Sequence, residues 1–165
     1  MTTAEDPSPS SSPVCAAAAG SDAYQHRAEP AELIDFLNLL LEAERAGTRV
    51  ARESLPHCAT AAERALLEDV FADEARWCAA LSAAIARLGG QPSQTVGDFH
   101  QRAMAIAALD ERLRFLNRGQ GWVARRLGEM IPRLGDGELR EALVEMRENH
   151  VANIARVNDF LPAAP

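Results

Sequence analysis

Residues 31–51 read AELIDFLNLLLEAERAGTRVA, and this stretch decides the fold. Its apolar residues recur at steps of three and four, which predicts an α-helix with one apolar face. Pro30 stands just before the stretch, and proline is well suited to the first position of a helix. A single carboxylate, Glu44, interrupts the apolar face. We therefore predict a helix A from Pro30 to about Leu55 that points an acidic side chain toward the protein interior.

Three further amphipathic segments follow, and strand alternation is almost absent. Helix B covers about residues 60–88 and begins with a capping-box pattern, in which Thr60 is followed three residues later by Glu63. We expect helix C over about residues 98–132 and helix D over about residues 136–160. Four amphipathic helices of this length predict an all-α protein built as a four-helix bundle.

The first 29 residues differ in composition from the rest of the chain. They are rich in Ser, Pro and Ala, and they show no hydrophobic periodicity. Such a segment cannot bury enough apolar surface to order itself. We therefore predict a disordered tail over residues 1–29, followed by one helical domain over residues 30–162. A chain of 165 residues suits a single domain of ordinary size.

The composition excludes several classes of protein. A net charge of −7 argues against a nucleic-acid-binding protein, and the apolar runs are too short to cross a membrane. Every basic side chain is arginine, so covalent chemistry through a lysine Schiff base is excluded. The three cysteines show neither zinc-site spacing nor a disulfide framework. We expect a cytoplasmic protein that binds neither nucleic acid nor membranes.

Three of the helices place one ionisable side chain in the middle of an apolar face: Glu44, Glu74 and His150. Helix C places the neutral Gln120 at a comparable position. Burying an unpaired carboxylate costs several kcal/mol, so these acids need a cation, a hydrogen-bond donor or a proton. In helix bundles, one known solution is a pair of metal ions held by inward-facing Glu and Glu-x-x-His side chains.

Four stretches of the chain resemble the ferritin-like superfamily, which includes rubrerythrin and bacterioferritin relatives. They are LLLEAERAG at 39–47, DEARWCAALSAAIARLGGQP at 73–92, RLRFLNRGQGWVARRL at 112–127 and MRENHVANI at 146–154. The third stretch is similar to a bacterial branch of ferritin-like proteins of unknown function. The resemblance implies a ferritin-like bundle in which helices B and C run parallel and are joined by a crossover. Ten extended residues reach about 33–36 Å, less than the length of helix B, so either the helix ends fray or residues 98 to about 104 belong to the crossover. The alternative is a simple up-down-up-down bundle with the same core residues.

The resemblance also implies metal ligands, but the set is incomplete. Glu44, Glu74 and His150 match ligand positions of the superfamily. Trp77 stands where a histidine is expected, Arg147 stands where a glutamate is expected, and helix C offers only an amide. Two iron ions on this set would be poorly compensated in charge, so we do not expect an ordinary di-iron centre.

The guanidinium of Arg147 can engage a carboxylate with two hydrogen bonds, which suits it to replace a metal ion. We therefore expect no cofactor and predict a buried salt-bridge and hydrogen-bond network, formed by Glu44, Glu74, Trp77, Gln120, Arg147 and His150. The alternative is a single iron or manganese ion on Glu44, Glu74 and His150, since two carboxylates and one histidine form a recognised non-haem iron set.

Three hypotheses for function follow from these patterns. The leading one is a non-catalytic structural, dimerising or partner-binding module, with no catalytic residues. It forms a homodimer or binds another protein through Phe115, Arg118 and Trp122, since aromatic and arginine side chains are enriched at interfaces. The second is a metal-dependent oxidoreductase that uses the single metal ion. The third is a protein that binds a small apolar ligand between its helices.

Overall fold

A computed structural model describes residues 27–161 of the chain as five α-helices. The helices are α1 (Pro30–Ser54), α2 (Ala61–Arg87), α3 (Phe99–Met104), α4 (Leu109–Met130) and α5 (Glu138–Phe160). No strand occurs between residues 27 and 161, so the prediction of an all-α protein is confirmed. The tail predicted for residues 1–29 lies outside the described residues, except for its last three. None of the five helices combines the length and the apolar character that a membrane span requires.

Helix α2 begins with the capping box that the sequence predicts. The Thr60 hydroxyl accepts a hydrogen bond from the Glu63 backbone N at 3.1 Å, and the Glu63 carboxylate accepts one from the Thr60 backbone N at 2.9 Å. These bonds satisfy donors that the first turn of a helix otherwise leaves unpaired. Gly89, whose φ is 80°, follows the other end of α2 and allows the chain to leave the helix.

The apolar core consists of two clusters, one toward each end of the bundle. The first cluster includes Leu37, Leu40, Trp77, Leu81, Leu127 and Met146. The second cluster includes Val50, Leu67, Leu113, Leu116 and Val157. Because the C-terminal halves of α2 and α4 both belong to the first cluster, these two helices run in the same direction. Helix α1 packs against α2 and α4, and α5 packs against the same two helices.

The connection between α2 and α4 runs along α1. Near its start, the Ser93 backbone N donates to the Asn38 side chain at 2.7 Å. Farther on, His100 Nε2 lies 2.9 Å from Glu53 Oε2, near the other end of α1. The connection therefore carries the chain from one end of the bundle back to the other.

The sequence leaves two starts open for helix C, one near residue 98 and one after about residue 104. In the structure, residues 99–104 form the separate α3, and α4 begins at Leu109. The reason is length. Ten extended residues span at most about 33–36 Å, whereas a helix as long as α2 measures about 40 Å. The connection therefore needs residues 98–108 as well.

A buried arginine holds the break between α3 and α4 in place. The Arg112 side chain is 3% exposed and donates to the Ile106 carbonyl from Nε at 3.0 Å and from Nη2 at 2.7 Å. Its Nη1 donates to the Ser54 hydroxyl at 3.2 Å, at the end of α1. One side chain thus ties the connection and the start of α4 to the end of α1.

Replacing Arg112 with lysine is expected to destabilise the protein by about 1–2 kcal/mol, because a lysine ammonium cannot reproduce the forked donors of a guanidinium. Urea unfolding of both proteins measures the difference. The matched control is Arg87→Lys, since Arg87 is exposed at the end of α2. We expect the control to change stability by less than about 0.5 kcal/mol. Equal effects of the two substitutions would show that the buried contacts of Arg112 contribute little.

Candidate functional site

Four buried polar side chains, one from each long helix, lie between the two apolar clusters. They are Glu44 of α1, Glu74 of α2, Gln120 of α4 and His150 of α5. Each is at most 3% exposed, and all four line one cavity. These are the residues that the sequence singles out as polar interruptions of apolar faces. The structure brings them together at the centre of the bundle, and we call these four residues the polar layer.

Glu44 and His150 form a buried ion pair. His150 Nε2 lies 3.0 Å from Glu44 Oε1, and His150 Nδ1 donates to the Met146 carbonyl at 3.0 Å. Burial opposes a charged imidazole, but the charge of Glu44 and the hydrogen bond to it outweigh burial and raise the pKa of His150. Since both ring nitrogens face acceptors, the protonated imidazole is the form that this environment favours.

Glu74 is in the opposite situation. Burial raises the pKa of Glu74 well above its usual value, and the neighbouring charge of Glu44 raises it further. The amide of Gln120 donates to Glu74 Oε1 at 3.3 Å, which opposes the shift only in part. The interior therefore favours the neutral, protonated form of Glu74. The layer combines an ion pair with an uncharged acid.

A glycine on α1 makes room for the Glu74 carboxyl group. A Cβ atom at Gly47 would lie 2.1 Å from Glu74 Oε2, far closer than two such atoms can approach. Gly47 is not among the predicted site residues. A signal was present, because glycine inside a helix costs about 1 kcal/mol relative to alanine and therefore calls for a packing reason.

Replacing Gly47 with alanine is expected to destabilise the protein by about 1–2 kcal/mol. The added methyl group displaces the Glu74 carboxyl from Gln120, and this cost exceeds the gain in helix propensity. The matched control is Gly121→Ala in α4, where the nearest side-chain atom would lie at an ordinary 3.6 Å. We expect the control to stabilise the protein by about 0.5–1 kcal/mol. Thermal and urea unfolding distinguish the two outcomes, and a stabilising Gly47→Ala would contradict the close contact.

Two acceptors of the layer lack hydrogen-bond partners. Glu44 Oε2 and Gln120 Oε1 are fully buried and make no hydrogen bond with any of residues 27–161. Leaving a buried acceptor unpaired costs about 1–3 kcal/mol. Both residues line the cavity.

Arg147 does not belong to this layer, and its predicted role is wrong. Its side chain is exposed and lies beside Gly128 of α4. Met146 and His150 occupy the buried face of α5, and Arg147 is rotated by about 100° from Met146 around the helix. At the edge of the buried face, a long charged side chain turns to water because burial would cost its hydration.

Trp77, also predicted for the network, lies in the first apolar cluster. It is 3% exposed, and its indole N–H is buried without a partner among the described residues. The Arg76 guanidinium lies 4.2 Å from the centroid of the Trp77 ring. Trp77 therefore packs beside the polar layer, and its nitrogen makes no hydrogen bond to that layer.

The cavity has a volume of about 550 Å³ and lies between α1 and α4. This volume is typical of sites that bind small molecules. The polar layer forms its inner end, and apolar side chains, including Ala43, Ala46, Leu116 and Val123, form its walls. Three exposed arginines also line it: Arg102, Arg118 and Arg125. The cavity thus connects the centre of the bundle with a surface that carries positive charge.

The three residues predicted for a protein interface, Phe115, Arg118 and Trp122, also line this cavity. Phe115 stacks on Phe99 of α3, with ring centroids 4.7 Å apart. The guanidinium of Arg118 lies 5.1 Å from the Phe115 ring. Helix α3 belongs to the same chain and therefore already covers part of the surface that these three residues form. The interface with another protein stays a prediction.

The metal alternative does not fit the observed arrangement. Among residues 27–161, no group of three or more His, Cys, Asp and Glu side chains is placed to hold a metal ion. The Glu44 carboxylate already engages Nε2 of His150, the nitrogen that faces the layer. The Glu74 carboxyl packs against Gly47 and accepts from Gln120. The side chains are arranged for hydrogen bonding to one another.

The described cysteine nearest the layer is not prepared for nucleophilic chemistry. Burial raises the pKa of the Cys78 thiol to about 11, and the nearby hydroxyl of Thr48 lowers it only in part. Thr48 Oγ1 lies 3.7 Å from Cys78 Sγ. A thiol with such a pKa is almost entirely protonated at neutral pH.

One comparison with known proteins identifies a family. A family model described as Domain of unknown function (DUF6306) matches residues 31–159, which include all four residues of the polar layer. The chain therefore belongs to this family. No curated protein and no solved structure matches the chain.

Proposed function

We propose that this member of the DUF6306 family binds a small molecule in the cavity between α1 and α4. The observation that carries the proposal is the pair of buried, unpaired acceptors, Glu44 Oε2 and Gln120 Oε1, on residues that line a cavity of about 550 Å³. Apolar walls with a few convergent polar groups are the usual composition of small-molecule sites. The bound molecule would supply the hydrogen bonds that the protein leaves unmade.

We also propose that the bundle is ferritin-like. Three features support this: the shared direction of α2 and α4, the connection that runs along α1, and the central layer to which each long helix contributes one polar residue. On this proposal, Glu44, Glu74 and His150 occupy the positions of former metal ligands. The space between them then serves an organic molecule.

Binding of the neutral apolar dye N-phenyl-1-naphthylamine, followed by its fluorescence, tests the proposal. The variant is Ala43→Leu, because Ala43 is half-buried and lines the cavity. The matched control is Ala80→Leu, because Ala80 is also half-buried against the same apolar cluster but does not line the cavity. We expect Ala43→Leu to weaken dye binding about tenfold, a loss that corresponds to about 1.4 kcal/mol.

The control variant is expected to bind the dye as the original protein does. Equal binding by both variants would place the dye elsewhere and contradict the proposal, as would the absence of dye binding by a folded protein. Circular dichroism and urea unfolding of each variant establish that it is folded, since partly unfolded proteins also bind such dyes.

Further measurements test the two other hypotheses. A metal-dependent oxidoreductase would contain stoichiometric iron or manganese after purification with Fe(II) or Mn(II), and Glu44→Ala would abolish that content. A dimerising module would show a dimer mass that Trp122→Ala converts to a monomer mass. The outward position of Arg147 removes from the predicted network the guanidinium that was to replace a metal ion.

A further inference from the structure

The rim of the cavity carries an excess of positive charge. Three arginines stand there against two acids, Asp98 and Glu42, although the chain as a whole has a net charge of −7. Asp98 lies 3.9 Å from Arg102, and Glu42 accepts a hydrogen bond from Ser93 at 2.5 Å. Among the described residues, Arg118 and Arg125 form no ion pair with a carboxylate. These two arginines are available to an anionic group.

The inner end of the cavity has the opposite character. Its unpaired atoms are both oxygens, Glu44 Oε2 and Gln120 Oε1, which accept hydrogen bonds and repel an anion. The Glu44–His150 pair balances its own charge, so the inner end offers an acidic group no unpaired positive charge and two oxygens that can only accept hydrogen bonds. A hydroxyl group there would donate to one of these acceptors. The two ends thus determine the direction in which a molecule with an acidic end enters.

We propose that the cavity takes an amphipathic organic anion, with its acidic group at Arg118 and Arg125, its apolar body between α1 and α4, and a hydroxyl group at Glu44 and Gln120. This inference rests on the proposed binding function and adds the class of ligand and its orientation. Arginine is suited to the outer contact because its forked donors match a carboxylate.

Displacement of N-phenyl-1-naphthylamine by three chain molecules of equal length tests the inference. The probes are 10-hydroxydecanoate, decanoate and 1,10-decanediol. We expect 10-hydroxydecanoate to bind about tenfold more tightly than each of the other two, because decanoate lacks the inner donor and the diol lacks the outer charge. The double variant Arg118→Ala/Arg125→Ala should lose the advantage of 10-hydroxydecanoate over the diol and keep its affinity for the diol.

The control is Arg126→Ala, on the same helix but outside the cavity, which should leave all three affinities unchanged. If the diol binds as tightly as 10-hydroxydecanoate, or if the double arginine variant keeps the preference for the acid, the inference is overturned while the binding function stands. Equal affinities for decanoate and 10-hydroxydecanoate would overturn the inner contact. Failure of the dye itself to bind would overturn both proposals.

Discussion

Replacing Glu44 with alanine is expected to lower the free energy of unfolding by about 3–5 kcal/mol at pH 6, because it leaves a buried imidazole without its counter-charge. His150 is 3% exposed, and its Nε2 lies 3.0 Å from Glu44. Without Glu44, burial becomes the dominant influence and lowers the pKa of His150 instead of raising it. Urea unfolding gives the stability, and NMR titration of the His150 ring gives the direction of the pKa change.

The matched control is Glu145→Ala, which removes an ion pair at the surface. Glu145 lies 2.7 Å from Arg76, as close as in a good buried pair, but both side chains are about half exposed. We expect this substitution to cost less than about 1 kcal/mol, since water solvates both charges when the pair is broken. The double variant Glu44→Leu/His150→Leu should recover most of the stability lost in Glu44→Ala, because it removes both charges. Equal costs for Glu44→Ala and Glu145→Ala would contradict the buried pair.

The positions of Glu44, Glu74 and His150 could be predicted from the sequence because each is a lone ionisable residue in an apolar helical face. The period of 3.6 residues sets the direction of a side chain to within one face. The same argument fails for Arg147, which stands at the edge of the buried face of α5. There a long side chain can turn inward or outward, and the choice depends on whether the folded protein offers a buried partner. Such a partner would come from another helix, so the sequence pattern of α5 alone does not show whether one is present.

The break between α3 and α4 is set by the length of the connection and not by local helix propensity. Residues 105–108 read AIAA, and alanine is the strongest helix former, so local propensity favours one continuous helix. The fold overrides this preference because the connection has to reach from one end of α1 to the other. Arg112, which the sequence places among the charged residues of helix C, is buried and binds the Ile106 carbonyl that the break exposes. The cavity also results from long-range packing, because residues of α1, α3 and α4 line it together.

Raising the pH is expected to destabilise the protein, and Glu74 is expected to be a main cause. Burial raises the pKa of Glu74 above its ordinary value of 4.5, so above pH 4.5 the folded state binds more protons at this site than the unfolded state does. Its contribution to stability therefore falls as the pH rises from 4.5 toward the folded pKa. His150 acts in the same direction at higher pH, because its contribution is complete below 6.5 and is lost as the pH passes the raised folded pKa.

The variant Glu74→Gln is expected to separate these two effects. Glutamine cannot ionise, and its carbonyl still accepts a hydrogen bond from Gln120, so the part of the pH dependence due to residue 74 should disappear. We expect the variant to match the original protein at pH 5 and to exceed its free energy of unfolding by about 1–3 kcal/mol at pH 9. Urea unfolding across this range measures both curves.

Glu42→Gln is the matched control, because hydrogen bonds from Ser93 and Thr95 lower the pKa of Glu42 in the folded state. A lowered pKa gives the opposite sign, so the stability contributed by Glu42 is present at neutral pH and lost in acid. The control should therefore be less stable than the original protein at pH 7, and the difference should vanish below the folded pKa of Glu42. If Glu74→Gln instead loses stability at pH 9, Glu74 is ionised in the folded protein. A cation would then have to compensate its charge, and the metal alternative would regain its basis.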